Sequence, residues 1–190
     1  MTLERPLQTA ALLFGVLFLV SGLFYPVLVT GIGEFAFPSQ AHGSLVRDRN
    51  GTVIGSMLIG RDFAGPYYFQ GRPSATPGRP YNAEQSGGSN LGPSNPVLAE
   101  RVNQTISALG RQGITGPWPG DLVTASASGL DPHITLEAAL AQVPAVAEAR
   151  GMNEEEVRAL VLSEVVGRPF PFKPQYVNVL SLNMALDGEG

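Results

Sequence analysis

Apolar positions divide this chain into two unlike parts. From Pro6 to Gly33 no charged side chain occurs, and the strongest run, Ala10–Val29, is 20 residues of nearly unbroken apolar sequence. At about 1.5 Å per residue, a helix of that length spans about 30 Å, the hydrocarbon thickness of a bilayer. The pattern predicts a short tail over 1–9, a transmembrane helix over 10–30 and a connector over 31–43. Tyr25 falls near the far end, where interfacial aromatics are common. A cleaved signal sequence would carry a shorter apolar stretch of about 7–15 residues and a small-residue cleavage site. The best candidate site here is the poor Ser39-Gln40-Ala41, so a retained anchor is expected. Ala11, Gly15 and Gly22 share one face of that helix, where small side chains let a second membrane helix approach closely.

After the connector the pattern shortens and alternates, and 44–190 is expected to be one soluble α+β domain. Leu45-Val46 and Val53-Ile54 flank Asn50-Gly51, which predicts a β-hairpin over Ser44–Phe63 with a type I′ turn. Residues 67–80 are rich in Gly, Pro and aromatics and are expected to be irregular. Asn95 and Pro96 have the character of an N-cap and first helical residue. Leu98, Val102, Ile106 and Leu109 then recur at helical spacing, with Gly110 as the expected stop. Asp121–Ser128 is expected to be a strand, followed by a turn over Gly129–His133. Thr135 is placed to cap a helix reaching about Gln142, Pro144 to restart it towards Arg150, and Asn153 to cap another carrying Val157, Leu160, Val161 and Val165. A Pro-rich stretch over 168–174 precedes Tyr176–Leu186, which is expected to be a strand or a strand leading into a helix.

Composition narrows the chemistry. The 190 residues carry 12 basic and 16 acidic groups, a net charge of −4, with no concentrated basic patch. Binding nucleic acid by phosphate neutralisation is therefore not expected. The absence of Cys removes disulfides, thiolate metal sites and Cys nucleophiles. His42 and His133 are the two histidines, and neither has partners at metal-ligand spacing. Arg5 precedes the apolar run, and the first basic residues after it are the distant Arg47 and Arg49. The positive-inside rule then favours a cytoplasmic N-terminus and an extracytoplasmic domain.

Three local patterns bear on function. Ser128, Asp131 and His133 have the residue types of a hydrolase triad but sit within six residues across a Pro turn, too close for one group to orient the base from behind. Asp131 capping a turn is the better reading. Gln85-Ser86-Gly87-Gly88-Ser89-Asn90 is a polar Gly-rich loop of the sort that offers backbone N–H groups to phosphate, without the Gly-Lys-Ser/Thr of a Walker A motif. A structural turn is the simpler account. Asn103-Gln104-Thr105 matches a glycosylation sequon, but its mid-helix position makes it a chance match.

Longer words carry more information. YFQGRPSA (68–75), YN (81–82), QSGGSNLGPSNP (85–96), DLVTASASGLDPHIT (121–135), QVPAVAEARG (142–151) and VNVLSLN (177–183) follow one N-terminal span in this order. Together they resemble the KdpC family, the C chain of the bacterial potassium-transporting P-type ATPase. Ala127 departs from the Gly usual in the family, a change that costs backbone freedom if φ is positive there. The resemblance implies a non-catalytic accessory subunit in the bacterial cell (inner) membrane. Its partners would be a channel-like A subunit, an ATP-hydrolysing B subunit and the lipid bilayer. It implies assembly or stabilisation of that complex, and a chaperone role raising the ATP affinity of the B subunit. No cofactor of its own is implied, ATP entering only as shared with the ATPase subunit. The alternative is a direct nucleotide-binding regulator acting through Gln85–Asn90. A domain outside the membrane could not meet cytoplasmic ATP, so the charge pattern favours a clamp on the ion-entry side.

Overall fold

The computed structural model describes residues 4–167 and 175–188. The chain divides into two compact units, residues 1–45 and 46–190. The first unit is almost entirely helical. Helix α1 (Glu4–Leu19), a π-helical turn (Val20–Phe24) and α2 (Tyr25–Ala36) run on without a break. The π turn precedes Pro26, which has no N–H to give the Gly22 carbonyl and whose ring crowds it. The ladder steps over the defect: Tyr25 donates five residues back, to Val20 O. From Arg5 to Ala36 the helix is long and apolar enough to cross a membrane, and none of its most apolar window is buried within the protein. It continues beyond the expected 10–30, and α3 (Pro38–Ala41) adds a further turn within the expected connector.

The second unit is α+β. Strands β1 (Leu45–Arg47) and β2 (Val53–Ser56) pair as a hairpin, but the turn is not type I′. Among the residues of the loop only Gly51 has positive φ (+80°). The Asp48 carboxylate instead accepts from the N–H groups of Asn50 and Thr52, and Gly51 N–H donates to Asp48 O. That is a three-residue loop with Gly in the left-handed position. Residues 57–94 are irregular apart from a 3₁₀ turn at Ala83–Gln85.

Asn95 caps α4 (Pro96–Arg111) by accepting from Val97 N–H. The helix passes through Gly110, and the reversal falls at Gly113, where φ is +83°. Residues 121–128 are not a strand. Pro119 starts a short helical turn, α5 (Gly120–Val123), and an irregular segment follows. The Asp121 carboxylate accepts from Thr135 N–H at 2.6 Å and from the Thr135 hydroxyl at 3.2 Å, which ties this turn to Thr135.

A three-stranded antiparallel sheet, ordered β3-β5-β4, is built from β3 (His133–Thr135), β4 (Val165–Val166) and β5 (Tyr176–Asn178). Ile134 lies opposite Val177, and Val165 opposite the same residue on the other side. Thr135 caps α6 (Leu136–Leu140), and Pro144 stands in the first turn of α7 (Val143–Arg150), which ends on Gly151 in the left-handed conformation. Asn153 caps α8 (Glu154–Ser163), whose first turn holds Glu154, Glu155 and Glu156. Negative charge there complements the helix dipole. Asn178 ends β5 and caps α9 (Val179–Leu186), accepting from the N–H groups of Leu180 and Ser181. The core gathers Phe69, Ile134, Val143, Val146, Val157, Val161, Val177 and Leu182, with Ala138, Ala139, Ala145 and Ala147 letting the helices close on one another. The Pro-rich stretch, 168–174, lies outside the described residues.

Candidate functional site

The irregular segment is held by side chains rather than by a neighbouring strand. Asn183 and Gln142 are buried, with 1 % and 0 % of their surface exposed. Asn183 accepts from Phe69 N–H at 2.9 Å and donates to Phe69 O at 3.0 Å. Gln142 treats Gln70 in the same way, accepting at 2.7 Å and donating at 3.1 Å. Two carboxamides thus act as two steps of a β ladder. Each removes the cost, about 1–3 kcal/mol per group, of leaving a buried backbone donor or acceptor unpaired.

Past Gln70 the strap of residues 70–76 meets the 125–131 segment and the Gly-rich loop. Ser74 Oγ donates to Gly129 O at 2.7 Å and accepts from Tyr81 N–H, while Thr76 Oγ1 donates to Arg79 O and accepts from Asn82 N–H. Gly129 has φ of +67°, and a Cβ there would lie 2.6 Å from Gly87 O and 2.7 Å from the Thr76 methyl. On the other side, Ser86 Oγ and Gly87 N–H both donate to Ser128 O. A Cβ at Gly88 would lie 2.8 Å from Ala127 O. Gly88 in the loop and Gly129 opposite it therefore allow the loop to press against the 127–129 backbone. Ala127 is absent from the positive-φ residues, so the departure from Gly there is accommodated.

Tyr81 lies at the centre, itself in the left-handed region at φ +54°. Its ring occupies space that glycine leaves at Gly60 and Gly71, and its hydroxyl donates to Arg72 O at 2.6 Å. Burial, then the nearby Asp62 and Asp131 carboxylates, push its phenol up to about 12, against the opposing pull of Arg72. Arg72 reaches Asp131 Oδ2 and Ala125 O, both at 3.4 Å, and its Nε is buried without an acceptor.

The sequence-marked residues fall as follows. Asp131 and His133 come together: Asp131 Oδ1 accepts from His133 N–H at 3.0 Å and lies 3.5 Å from His133 Nδ1. The His133 ring meets Tyr176 edge-on. The Ser128 hydroxyl oxygen accepts from Leu130 N–H instead. Asp131 and Ser128 thus each stabilise the turn, and no hydrogen bond joins Ser128 to His133 among the described residues. Gln85 closes the 3₁₀ turn, Ser86 to Ser89 form an extended loop, and Asn90 takes positive φ (+51°). The Gly87 amide that a phosphate would use already serves Ser128 O. His42 pairs with Glu34 at 2.9 Å in the first unit, and no group of three potential metal ligands occurs among the described residues. Asn103 is on α4. Ala11, Gly15 and Gly22 lie on the exposed apolar helix, where a Cβ at Gly15 would meet nothing within 4 Å.

Sequence reading singled out neither Gln142, Asn183 and Tyr81 nor the partly unmatched Arg72. All four stand within the long words quoted above or beside them. Only those words signalled them.

The comparisons with known proteins agree with one another. A family model described as "KdpC: K+-transporting ATPase, c chain" matches residues 7–188. A Potassium-transporting ATPase KdpC subunit of Methanosphaerula palustris is 56% identical over 188 residues, covering 99% of this chain and 100% of that protein. Proteins with the same name from Burkholderia orbicola and Geobacter sulfurreducens are 54% and 49% identical. They match 98% and 96% of this chain, and 96% and 97% of their own lengths. With the match running from the membrane-length helix through the last helix, the chain belongs to the KdpC family, that of the c chain of the K+-transporting ATPase.

Proposed function

We propose that this chain is a non-catalytic accessory subunit of a high-affinity, ATP-driven potassium import complex. In this reading the N-terminal helix docks within the membrane, and the α+β unit clamps the channel-like and ATP-hydrolysing subunits from the extracytoplasmic side. One observation carries it: the family match spans both the apolar helix and the folded unit, with no interruption between them. The exposed apolar surface of the helix and the small-residue face at Ala11, Gly15 and Gly22 support an intramembrane partner.

The test is co-purification. The full-length chain is expected to copurify with the pump subunits, and a chain lacking residues 1–33 to do so poorly. Undiminished association of the truncated chain overturns the docking role. Reporter fusions at Gly190 decide the side: an active alkaline phosphatase and a dark cytoplasmic fluorescent protein are expected.

The role in ATP affinity requires the domain on the opposite side. Calorimetric titration of the full chain with millimolar ATP is expected to show no saturable heat. Saturable heat that disappears in Ser86→Ala and Gly88→Ala would establish the direct nucleotide-binding regulator instead.

A further inference from the structure

Helix α4 and the 70–76 strap enclose a cleft of about 600 Å³, well within the range of about 300–1,000 Å³ in which small molecules bind. Its apolar wall comes from α4. Leu98 and Val102 are half-buried and face the cleft, above the buried Leu109 and Leu122. Along α4 only Leu109 is fully buried, although the helix is well capped and amphipathic. The apolar stripe of α4 is thus incompletely covered by the protein.

The charge of this cleft opposes that of the chain. Arg61, Arg72 and Arg101 line it against Asp62 alone, in a protein of net charge −4. Arg61 is already engaged, donating to Ile54 O and stacking over Phe63. Arg72 is not satisfied. Its two contacts are both 3.4 Å long, where a charge-assisted bond is ordinarily about 2.7–2.9 Å. Nε has no acceptor at all, and Asp131 spends its other oxygen on His133 N–H. A quarter of the Arg72 side chain remains exposed and it lines the cleft, so an incoming acceptor can reach the guanidinium although Nε itself is covered.

We propose that this cleft binds a small amphiphilic carboxylate, with its anion on Arg72 and its apolar body along Leu98 and Val102. The site goes beyond the accessory-subunit role and does not depend on it. A monoanion fits better than phosphate for two reasons. Asp62 lines the cleft and Asp131 flanks Arg72, so a second negative charge is repelled. The amide of the neighbouring Gly-rich loop at Gly87 is committed to Ser128 O and does not serve phosphate oxygens.

The experiment is calorimetry on the full chain in lipid nanodiscs, with N-acetyl-L-leucine as the probe. N-acetyl-L-leucinamide and inorganic phosphate serve as controls. Saturable binding of the acid in the millimolar range is expected, with the amide at least about tenfold weaker. Arg72→Gln is expected to lose about tenfold or more in affinity. Val102→Trp fills the cleft from α4 without altering Arg72, and is expected to weaken binding as much while keeping the cooperative denaturant unfolding of the folded unit. Equal binding of acid and amide overturns the proposal. So does tighter binding of phosphate, full affinity in a folded Val102→Trp variant, or no saturable heat well above the millimolar range.

Discussion

The N-terminal helix and the strap of residues 69–76 meet the same requirement by opposite means. Each is a stretch of backbone that must satisfy its N–H and C=O groups. The helix does so internally, and even at Pro26 it repairs the ladder within its own turn by having Tyr25 donate to Val20. It therefore needs no neighbour, and its apolar side chains are free to face outward: Leu12 and Phe14 are 72% and 71% exposed. The strap has neither helix nor strand partner. It borrows the carboxamides of Asn183 and Gln142, from residues 114 and 72 positions away. Self-sufficient backbone tolerates change along its length, whereas borrowed pairing concentrates the stability in a few side chains.

Substitution at the borrowed pairs tests that contrast most severely. Asn183→Leu or Gln142→Leu strands two buried backbone groups, and each is expected to cost about 2–5 kcal/mol. Denaturant unfolding followed through Trp118, the single tryptophan, measures the loss. A cost below about 1 kcal/mol would show that the strap is held by its apolar contacts instead. Gly129→Ala comes next. It combines a left-handed φ with a Cβ 2.6 Å from Gly87 O, so about 2–4 kcal/mol is expected by the same assay.

Tyr81→Phe is milder at neutral pH, with about 1 kcal/mol lost along with the bond to Arg72 O. Its pH signature is sharper. The folded phenol is raised to about 12, above the ordinary 10, so the neutral form favours the native state. That contribution is fully present below pH 10 and is lost as pH climbs from 10 towards 12. The Tyr81→Phe variant should lack this part of the alkaline destabilisation, measured by unfolding at successive pH values. The smallest effect belongs to the helix. Leu17→Ala, on an exposed surface, is expected to shift the unfolding midpoint of the α+β unit by an amount equivalent to under about 0.5 kcal/mol.

What could be read from the sequence follows the same division. The apolar helix was visible because its signal is local: a charge-free run of membrane length. The helical ladder runs on past that span, to Ala36. Caps at Asn95, Thr135 and Asn153 were legible for the same local reason, and all three accept the expected backbone bond. Asp121–Ser128 misled because Leu-Val-Thr favours a strand, whereas Pro119 and the long-range tie from Asp121 to Thr135 impose a helical turn. In the candidate site, the turn role of Asp131 could be inferred from its neighbours. The pairing of Phe69 with Asn183 could not, because nothing in either segment specifies a partner 114 residues away.

The π turn at Val20–Phe24 has a geometric consequence for whatever lies beside the helix. An extra residue accommodated in one turn advances the helix by about 100° of rotation. Positions before and after the turn are therefore out of phase with a simple heptad count. Ala11 and Gly15 mark one azimuth, Gly22 falls inside the offset, and Gly31 and Gly33 follow a rotated frame. A straight neighbouring helix can stay in register with the first half or the second, and a partner matching both would need a compensating skip of its own.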